Sequence, residues 1–305
     1  MKRVLVTGAS GRLGKYVVEA LGIDFQVTAF DCNKPDFDCE FIQGDILDRV
    51  SVAQAVKNQD SVIHIAALDA DATGSESRFM QVNVEGVWNV FDCAREAGVK
   101  RIVHCSSVAA INISPENPPQ YLPVDIDHPA DPKEVYGLTK LLGEKIARRF
   151  FVLGGMDIIC LRPTYIMQPD YLYDVVKLSA EADGTQPPSP ASDPSWLSYG
   201  EVIPGSRSFV DPRDVATAFR AALEADDISW GIFTVASTDS HSDLPTLELV
   251  EREFGVKPEI RNPERYADRA GASIYDISET TKALGWKPAH SWPAVLEELL
   301  ATVER

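Results

Sequence analysis

Tyr136 and Lys140 stand four residues apart, a spacing that puts both on one face of a helix. An ammonium beside a phenol stabilises the phenolate and lowers its pKa toward the working range of an acid–base catalyst. Tyr173 and Lys177 share the same spacing, so context must separate the two pairs. Tyr136 opens a helical stretch after the fifth strand-like run, and that run ends in Ser106-Ser107. Ligands of parallel sheets bind at the carboxyl ends of strands. Ser107 is therefore placed to hydrogen-bond the same substrate oxygen that Tyr136 protonates or deprotonates, whereas Tyr173 reads as a packing residue.

A second group lies at the start of the chain, where Val4-Leu5-Val6 runs into Thr7-Gly8-Ala9-Ser10-Gly11-Arg12-Leu13-Gly14. A strand ending in glycines spaced three apart and then opening a helix offers backbone N–H groups and a positive helix end to a pyrophosphate. Asp31 closes the second strand-like run, where an acidic side chain accepts hydrogen bonds from ribose hydroxyls. Its charge repels a 2′-phosphate, so NAD is favoured over NADP; Arg12 and Lys34 soften that repulsion. Asp45, in Gly44-Asp45-Ile46-Leu47, either meets the adenine edge or caps the helical segment that begins at Asp48. His64, within a strand, reads as a buried, hydrogen-bonded core histidine.

The elements that must position these groups alternate. Short runs rich in Val and Ile at 2–6, 26–30, 40–42, 61–66, 101–105 and 157–161 are separated by helical stretches at 12–21, 48–57, 77–97 and 133–153. That order predicts a parallel sheet covered on both faces. Beyond Pro163 the pattern loosens. Residues 185–198 are rich in Ser and Pro and read as a lid or loop. Asp211-Pro212-Arg213-Asp214 supplies an N-cap, a Pro at N1 and an acidic N3 for a helix over 215–223. A strand at 232–236 returns to the main sheet, and helical pieces follow at 244–254, 279–284 and 292–303. Trp286 and Trp292 read as packing residues.

The 46 acidic against 29 basic residues give a net charge of −17, a field that repels nucleic acids and anionic membranes. The only basic-then-apolar start is the first strand itself, so no signal peptide is expected, and the apolar runs fall short of a membrane span. Five cysteines without a C-x-x-C pair or metal spacing predict no metal site and a reduced, cytoplasmic protein.

Thr7-Gly8-x-x-Gly11-x-x-Gly14, Asp31, Gly44-Asp45-Ile46, His64-Ile65-Ala66-Ala67, Asn83-Val84-Glu85-Gly86, Ser106-Ser107, Tyr136-x-x-x-Lys140, Leu161-Arg162-Pro163 and Leu284-Gly285-Trp286-Lys287-Pro288 occur in order. Together they resemble the extended short-chain dehydrogenase/reductases, the NAD-dependent epimerase/dehydratase family, over nearly the whole chain. The resemblance implies an α/β fold: a Rossmann-type doubly wound parallel sheet over 1–165, with 207–238 returning to it. A smaller C-terminal substrate-binding α/β part would come from 166–206 and 239–305. It implies a catalytic set of Ser107, Tyr136 and Lys140, with Lys140 also touching the nicotinamide ribose. NAD would be held by Gly8, Gly11, Arg12, Leu13, Gly14, Asp31, Asp45, Ile46, Ala66, Ala67, Asn83, Tyr136, Lys140, Pro163 and Thr164. Asn83 would support the cofactor-site backbone or solvent, or else cap a helix.

For the substrate, the resemblance implies Ser107, Tyr165, Arg207 and Arg265, the two arginines matching a pair that clamps a diphosphate in sugar-nucleotide members. Other positions depart from that pattern. Ala110-Ile111-Asn112 replaces Val-Tyr-Gly, Tyr165 stands where Asn is usual, Gln168 replaces a glycine, and no acidic pair follows Ser107. The departures count against a 4,6-dehydratase and leave a nucleotide sugar and a small sugar, sugar acid or polyol as alternatives. The reaction is hydride transfer at a carbinol carbon, by an epimerase that retains NADH or a dehydrogenase that releases it. A non-catalytic NAD-sensing protein on the same scaffold is the competing class. The family also implies a homodimer through helices 77–97 and 133–153, with Phe79, Phe91, Phe150 and Phe151 as its seam.

Overall fold

The computed structural model describes residues 1–168, 207–242 and 244–303. The stretch 185–198 and the Tyr173/Lys177 pair fall outside these residues. In chain order the first half comprises β1 (Lys2–Thr7), α1 (Gly14–Leu21), β2 (Phe25–Asp31), β3 (Glu40–Gln43), α2 (Arg49–Ala55) and β4 (Ser61–His64). A helix then runs through three segments, α3 (Glu76–Met80), a π-turn (Gln81–Glu85) and α4 (Gly86–Glu96). After β5 (Arg101–Cys105) and β6 (Tyr121–Leu122) come α5 (Val135–Leu153), β7 (Asp157–Pro163) and β8 (Tyr165–Ile166). The remainder is β9 (Phe209–Val210), α6 (Pro212–Glu224), β10 (Trp230–Val235), α7 (Thr246–Phe254), β11 (Glu259–Ile260), α8 (Pro263–Asp268), α9 (Ser278–Leu284) and α10 (Trp292–Val303).

The main sheet has seven strands in the order β10-β7-β5-β4-β1-β2-β3, every pair parallel. Strand direction of growth reverses between β1 and β4, so a crevice opens there above the strand ends. Side chains alternate across the sheet. Val4, Val6, Ile63, Val103 and Ile159 join one core cluster with Val17 of α1 and Phe219 of α6. Leu5, Val62, Ile102 and Ile158 join the other with Val52, Phe91 and Phe150 from α2, α4 and α5. This is the α/β doubly wound arrangement expected from the alternation of runs.

Several local expectations find a physical counterpart. Asp211 caps α6 by accepting from the Arg213 N–H, with Pro212 at the first turn. Asp48, not Asp45, caps α2. His64 is 1% exposed, with its Nδ1 2.6 Å from Thr7 Oγ1. Trp286 Nε1 donates to Asp214 O and Thr217 Oγ1, which seats the C-terminal segment on α6.

The run at 207–210 forms β9, which pairs with β8, while β10 joins the main sheet beside β7; the dimer seam is where the structure departs from expectation. Phe79, Phe91 and Phe150 are buried, claimed by their own chain's interior, and Phe151 packs on Trp230 and Arg148. None of the four is a bare apolar seam. No helix among the described residues is long and apolar enough to cross a membrane.

Candidate active site

The loop after β1 folds back on itself, Gly11 N–H donating to Gly8 O and Gly14 N–H to Gly11 O. Gly8 has φ +75°, and a Cβ there would lie 2.6 Å from Ala66 N. Only glycine fits, in conformation and in space. The loop is pinned at its rim: Asp31 accepts from Ser10 N–H at 3.1 Å and from Asn33 N–H at 3.0 Å. The result is a shallow cradle of backbone N–H groups with a carboxylate at its edge.

One cavity of about 1360 Å³ runs from this cradle across the strand ends. Gly8, Gly11, Arg12, Leu13, Asp31, Asp45, Ile46, Ala66 and Ala67 line it on one side of the crossing point, Ser107, Tyr136, Lys140, Pro163, Thr164 and Tyr165 on the other. Gly14 lies behind the cradle, where it starts α1. The open glycine, the acidic rim and a groove long enough for a dinucleotide fit NAD, which would lie from Asp31 to Tyr136.

Tyr136 and Lys140 both sit on the first turns of α5. Lys140 Nζ donates to Cys105 O at 2.9 Å and stands 5.5 Å from the Tyr136 ring centroid. Ser107 lies two residues beyond β5 and caps a short 3-10 turn, its Oγ accepting from Ala109 N–H at 3.1 Å. Burial raises the Tyr136 pKa well above that of a free phenol, the nearby Asp69 carboxylate adds to this, and the Ser107 hydroxyl opposes it. Catalysis from this site therefore requires positive charge near the phenol.

Asn83 neither lines the cavity nor caps a helix. It sits in the π-turn, 2% exposed, accepting from Leu68 N–H at 2.7 Å and donating to Leu68 O at 2.9 Å and Thr139 Oγ1 at 3.1 Å. It thus ties the loop after β4 to the helix that carries Tyr136. Arg12 is turned to that same loop, with Nη2 2.9 Å from Asp69 and Nη1 2.8 Å from Asp71, so it does not offset Asp31.

Arg207 and Arg265 are not brought to the cavity. Arg207 is 1% exposed and pairs with Glu253 at 3.0 Å. Arg265 Nη2 donates to the carbonyls of Ser273 and Tyr275. Each guanidinium is held by the fold's own acceptors, which replaces the diphosphate clamp expected of them. The structure instead brings Asp69, Asp71, Asn112, Ser208 and Tyr275 to the cavity wall. Asp69 and Asp71 follow a strand end by a few residues, a signal the sequence carried; Ser208 and Tyr275 arrive from distant segments and had none.

Residues 4–181 match the model of the NAD dependent epimerase/dehydratase family. The chain is 33% identical over 166 residues to N-acetyl-alpha-D-glucosaminyl-diphospho-ditrans,octacis-undecaprenol 4-epimerase of Escherichia coli O157:H7, covering 53% of this chain and 48% of that protein. It therefore spans about half the length of that relative. It is 26% identical to L-arabinose 1-dehydrogenase (NAD(P)(+)) of Haloferax volcanii, covering 69% of this chain and 83% of the relative. A crystal structure of a short-chain dehydrogenase/reductase superfamily protein from Agrobacterium tumefaciens with bound NAD superposes with TM-score 0.72 at 24% identity, over 98% of this chain and 96% of the other. At that identity the likeness establishes the fold.

Proposed function

The chain belongs to the NAD dependent epimerase/dehydratase family, and from that premise we propose that it catalyses hydride transfer at a carbinol carbon of a carbohydrate, with Tyr136 as acid–base. The observation that carries this reading is the convergence of Ser107, Tyr136 and Lys140 on one cavity with the glycine cradle. NAD, when bound, supplies the hydride acceptor. Gly8, Gly11, Leu13 and Asp31 would hold its adenosine diphosphate half, and Ala66, Ala67, Pro163 and Thr164 would flank the path to Tyr136.

Tyr136 takes the proton of the substrate hydroxyl as the carbinol carbon is oxidised. Ser107 positions that hydroxyl by hydrogen bonding to its oxygen. Lys140, fixed on Cys105 O, supplies the charge that favours the phenolate over its protonated form. The substrate part is built from the segments beyond β7, and Asn83 keeps the loop after β4 in register with α5.

Two further readings stand beside this one. Met80 and Trp88 of the α3–α4 helix and Leu138 of α5 are exposed, and they support a homodimer formed through these helices. The five cysteines, all free thiols, support a reducing, cytoplasmic setting for the enzyme.

Tyr136→Phe tests the acid–base role. It removes one oxygen and no packing, so NAD affinity should stay within about threefold while sugar-dependent NADH formation falls by at least ~100-fold. Equal NADH formation by wild type and variant would refute the role. Equal inactivity across a broad carbohydrate panel would favour an NAD-sensing protein.

A further inference from the structure

The charges around Tyr136 narrow the substrate. Asp69 lines the same cavity as Tyr136 and Ser107, close enough that its charge helps to hold the Tyr136 phenol protonated. Its side chain is 58% exposed, so a ligand can touch it. One oxygen accepts from Ala70 N–H at 2.8 Å and the other lies 2.9 Å from Arg12, which fixes the carboxylate at the cavity wall. Glu134, two residues before Tyr136, lines the cavity as well.

The cations do not balance these groups toward a ligand. Arg12 bridges two carboxylates, Asp69 and Asp71, and Lys140 is directed at Cys105 O. Arg207 and Arg265, the residues matching a diphosphate clamp, are held by Glu253 and by backbone carbonyls. Arg78 lines the cavity too, but by Cys32 at the Asp31 and Asp45 end; the other polar groups that the described residues bring to the Tyr136 end are neutral: Asn112, Tyr165, Gln168, Ser208 and Tyr275. Such a wall offers hydroxyl, phenol and amide partners to a polyol. It confronts an anion with carboxylates.

We propose that the substrate is an uncharged free sugar, bearing neither carboxylate nor diphosphate, and that Asp69 selects it by accepting a hydrogen bond from a hydroxyl beside the reacting carbinol while repelling anionic competitors. This rests on the reading of Tyr136 as the acid–base of hydride transfer. A like charge held ~5 Å away at an effective dielectric of ~20 weakens binding on the order of 100-fold. Arg12 offsets part of that, so the net discrimination is at least ~10-fold.

The test uses the full chain with NAD and a panel of neutral aldopentoses and aldohexoses, the matching uronates and the matching UDP-linked sugars. kcat/KM is read from NADH absorbance. Affinity of the Tyr136→Phe variant with NAD for the same compounds is read by calorimetry. The expected result is a neutral sugar preferred over its uronate and its UDP-linked form by at least ~10-fold in both readouts. Asp69→Asn should then lower kcat/KM for the neutral sugar and narrow its advantage over the uronate by about 10-fold.

A wild-type preference for the uronate or the UDP-linked sugar overturns the inference. So does an Asp69→Asn protein whose ratio is unmoved. Binding and turnover of no compound in any class would instead bring down the hydride-transfer reading, and this inference with it.

Discussion

At the scale of single residues, the question is how a buried phenol becomes a base. Burial and the Asp69 carboxylate hold Tyr136 in its protonated form in the unliganded chain. Asp69 raises the Tyr136 pKa, so removing its charge must lower it. Asp69→Asn should therefore move the alkaline-rising limb of the oxidation rate to lower pH; a pH–rate profile that stays in place or moves upward would contradict the assignment. Asp31 makes a second case. Charge-assisted hydrogen bonds contribute about 1.5–3 kcal/mol each. Asp31→Ala, which also releases Ser10 N–H and Asn33 N–H, should weaken NAD binding at least ~10-fold by calorimetry.

The reactive residues were legible because spacing and strand position expose them. Tyr136 and Lys140 share a helix face, and Ser107 follows the end of a strand. The burial of Arg207 was not legible. Its partner Glu253 lies on α7, remote in sequence, and an arginine beside a Phe-Val strand looks the same whether it meets a ligand or a carboxylate.

At the scale of elements, α5 does most of the positioning, and what fixes it is a buried ionic clamp. Glu144 accepts from Arg162 Nε at 2.7 Å and Nη2 at 2.8 Å on β7, and from Ser106 Oγ at 2.6 Å at the end of β5. Three elements meet at one carboxylate that is 2% exposed. The Ser106 bond holds the neighbour of Ser107 to the helix that carries Tyr136. Gly137 permits the close approach: a Cβ there would lie 2.4 Å from Ala109 O. Breaking a buried ion pair from one side strands the other charge and costs about 3–5 kcal/mol. Glu144→Gln should lower denaturant stability by that order; a change below ~1 kcal/mol would mean the clamp is not holding the helix.

The same helices present Met80, Trp88 and Leu138 to solvent. On the proposed dimer, Trp88→Glu should lower the mass by light scattering at micromolar concentration from that of a dimer to that of a monomer; a monomeric wild type would contradict the dimer. The π-turn was hidden from the sequence, because 77–97 reads as one regular amphipathic helix. The extra residue in that turn aims Asn83 at Leu68, a tertiary need that local pattern does not encode. The two-residue strands β6 and β11 are too short for any periodicity to show.

At the scale of the whole molecule, the parallel sheet covered on both faces was legible in the alternation of runs, as was the return of a strand at 232–236 to it; the strand order was not. Nor was the electrostatic cost of burial. His64 and His241 are fully enclosed and pushed down to about 3, chiefly by burial, and His104 lies well below its ordinary value for the same reason. The unfolded chain protonates these rings below about pH 6.5, while the folded chain keeps them neutral. Their contribution is therefore full above that pH and is lost as pH falls from 6.5 toward 3. Near pH 5.5 unfolding should take up about three protons, and stability should fall by roughly 4 kcal/mol per pH unit. A flat stability between pH 7 and 5 would contradict the burial of these rings.

The central claim is that hydride leaves a carbinol carbon of a sugar for the nicotinamide while Tyr136 takes the hydroxyl proton. A sugar deuterated at that carbon tests it most directly, with the cofactor recovered after a single turnover and weighed by mass spectrometry. The account predicts reduced nicotinamide carrying the deuterium with wild type, and unreduced NAD with Tyr136→Phe. Reduced cofactor without the label, or labelled cofactor from the Tyr136→Phe protein at the wild-type rate, would contradict it.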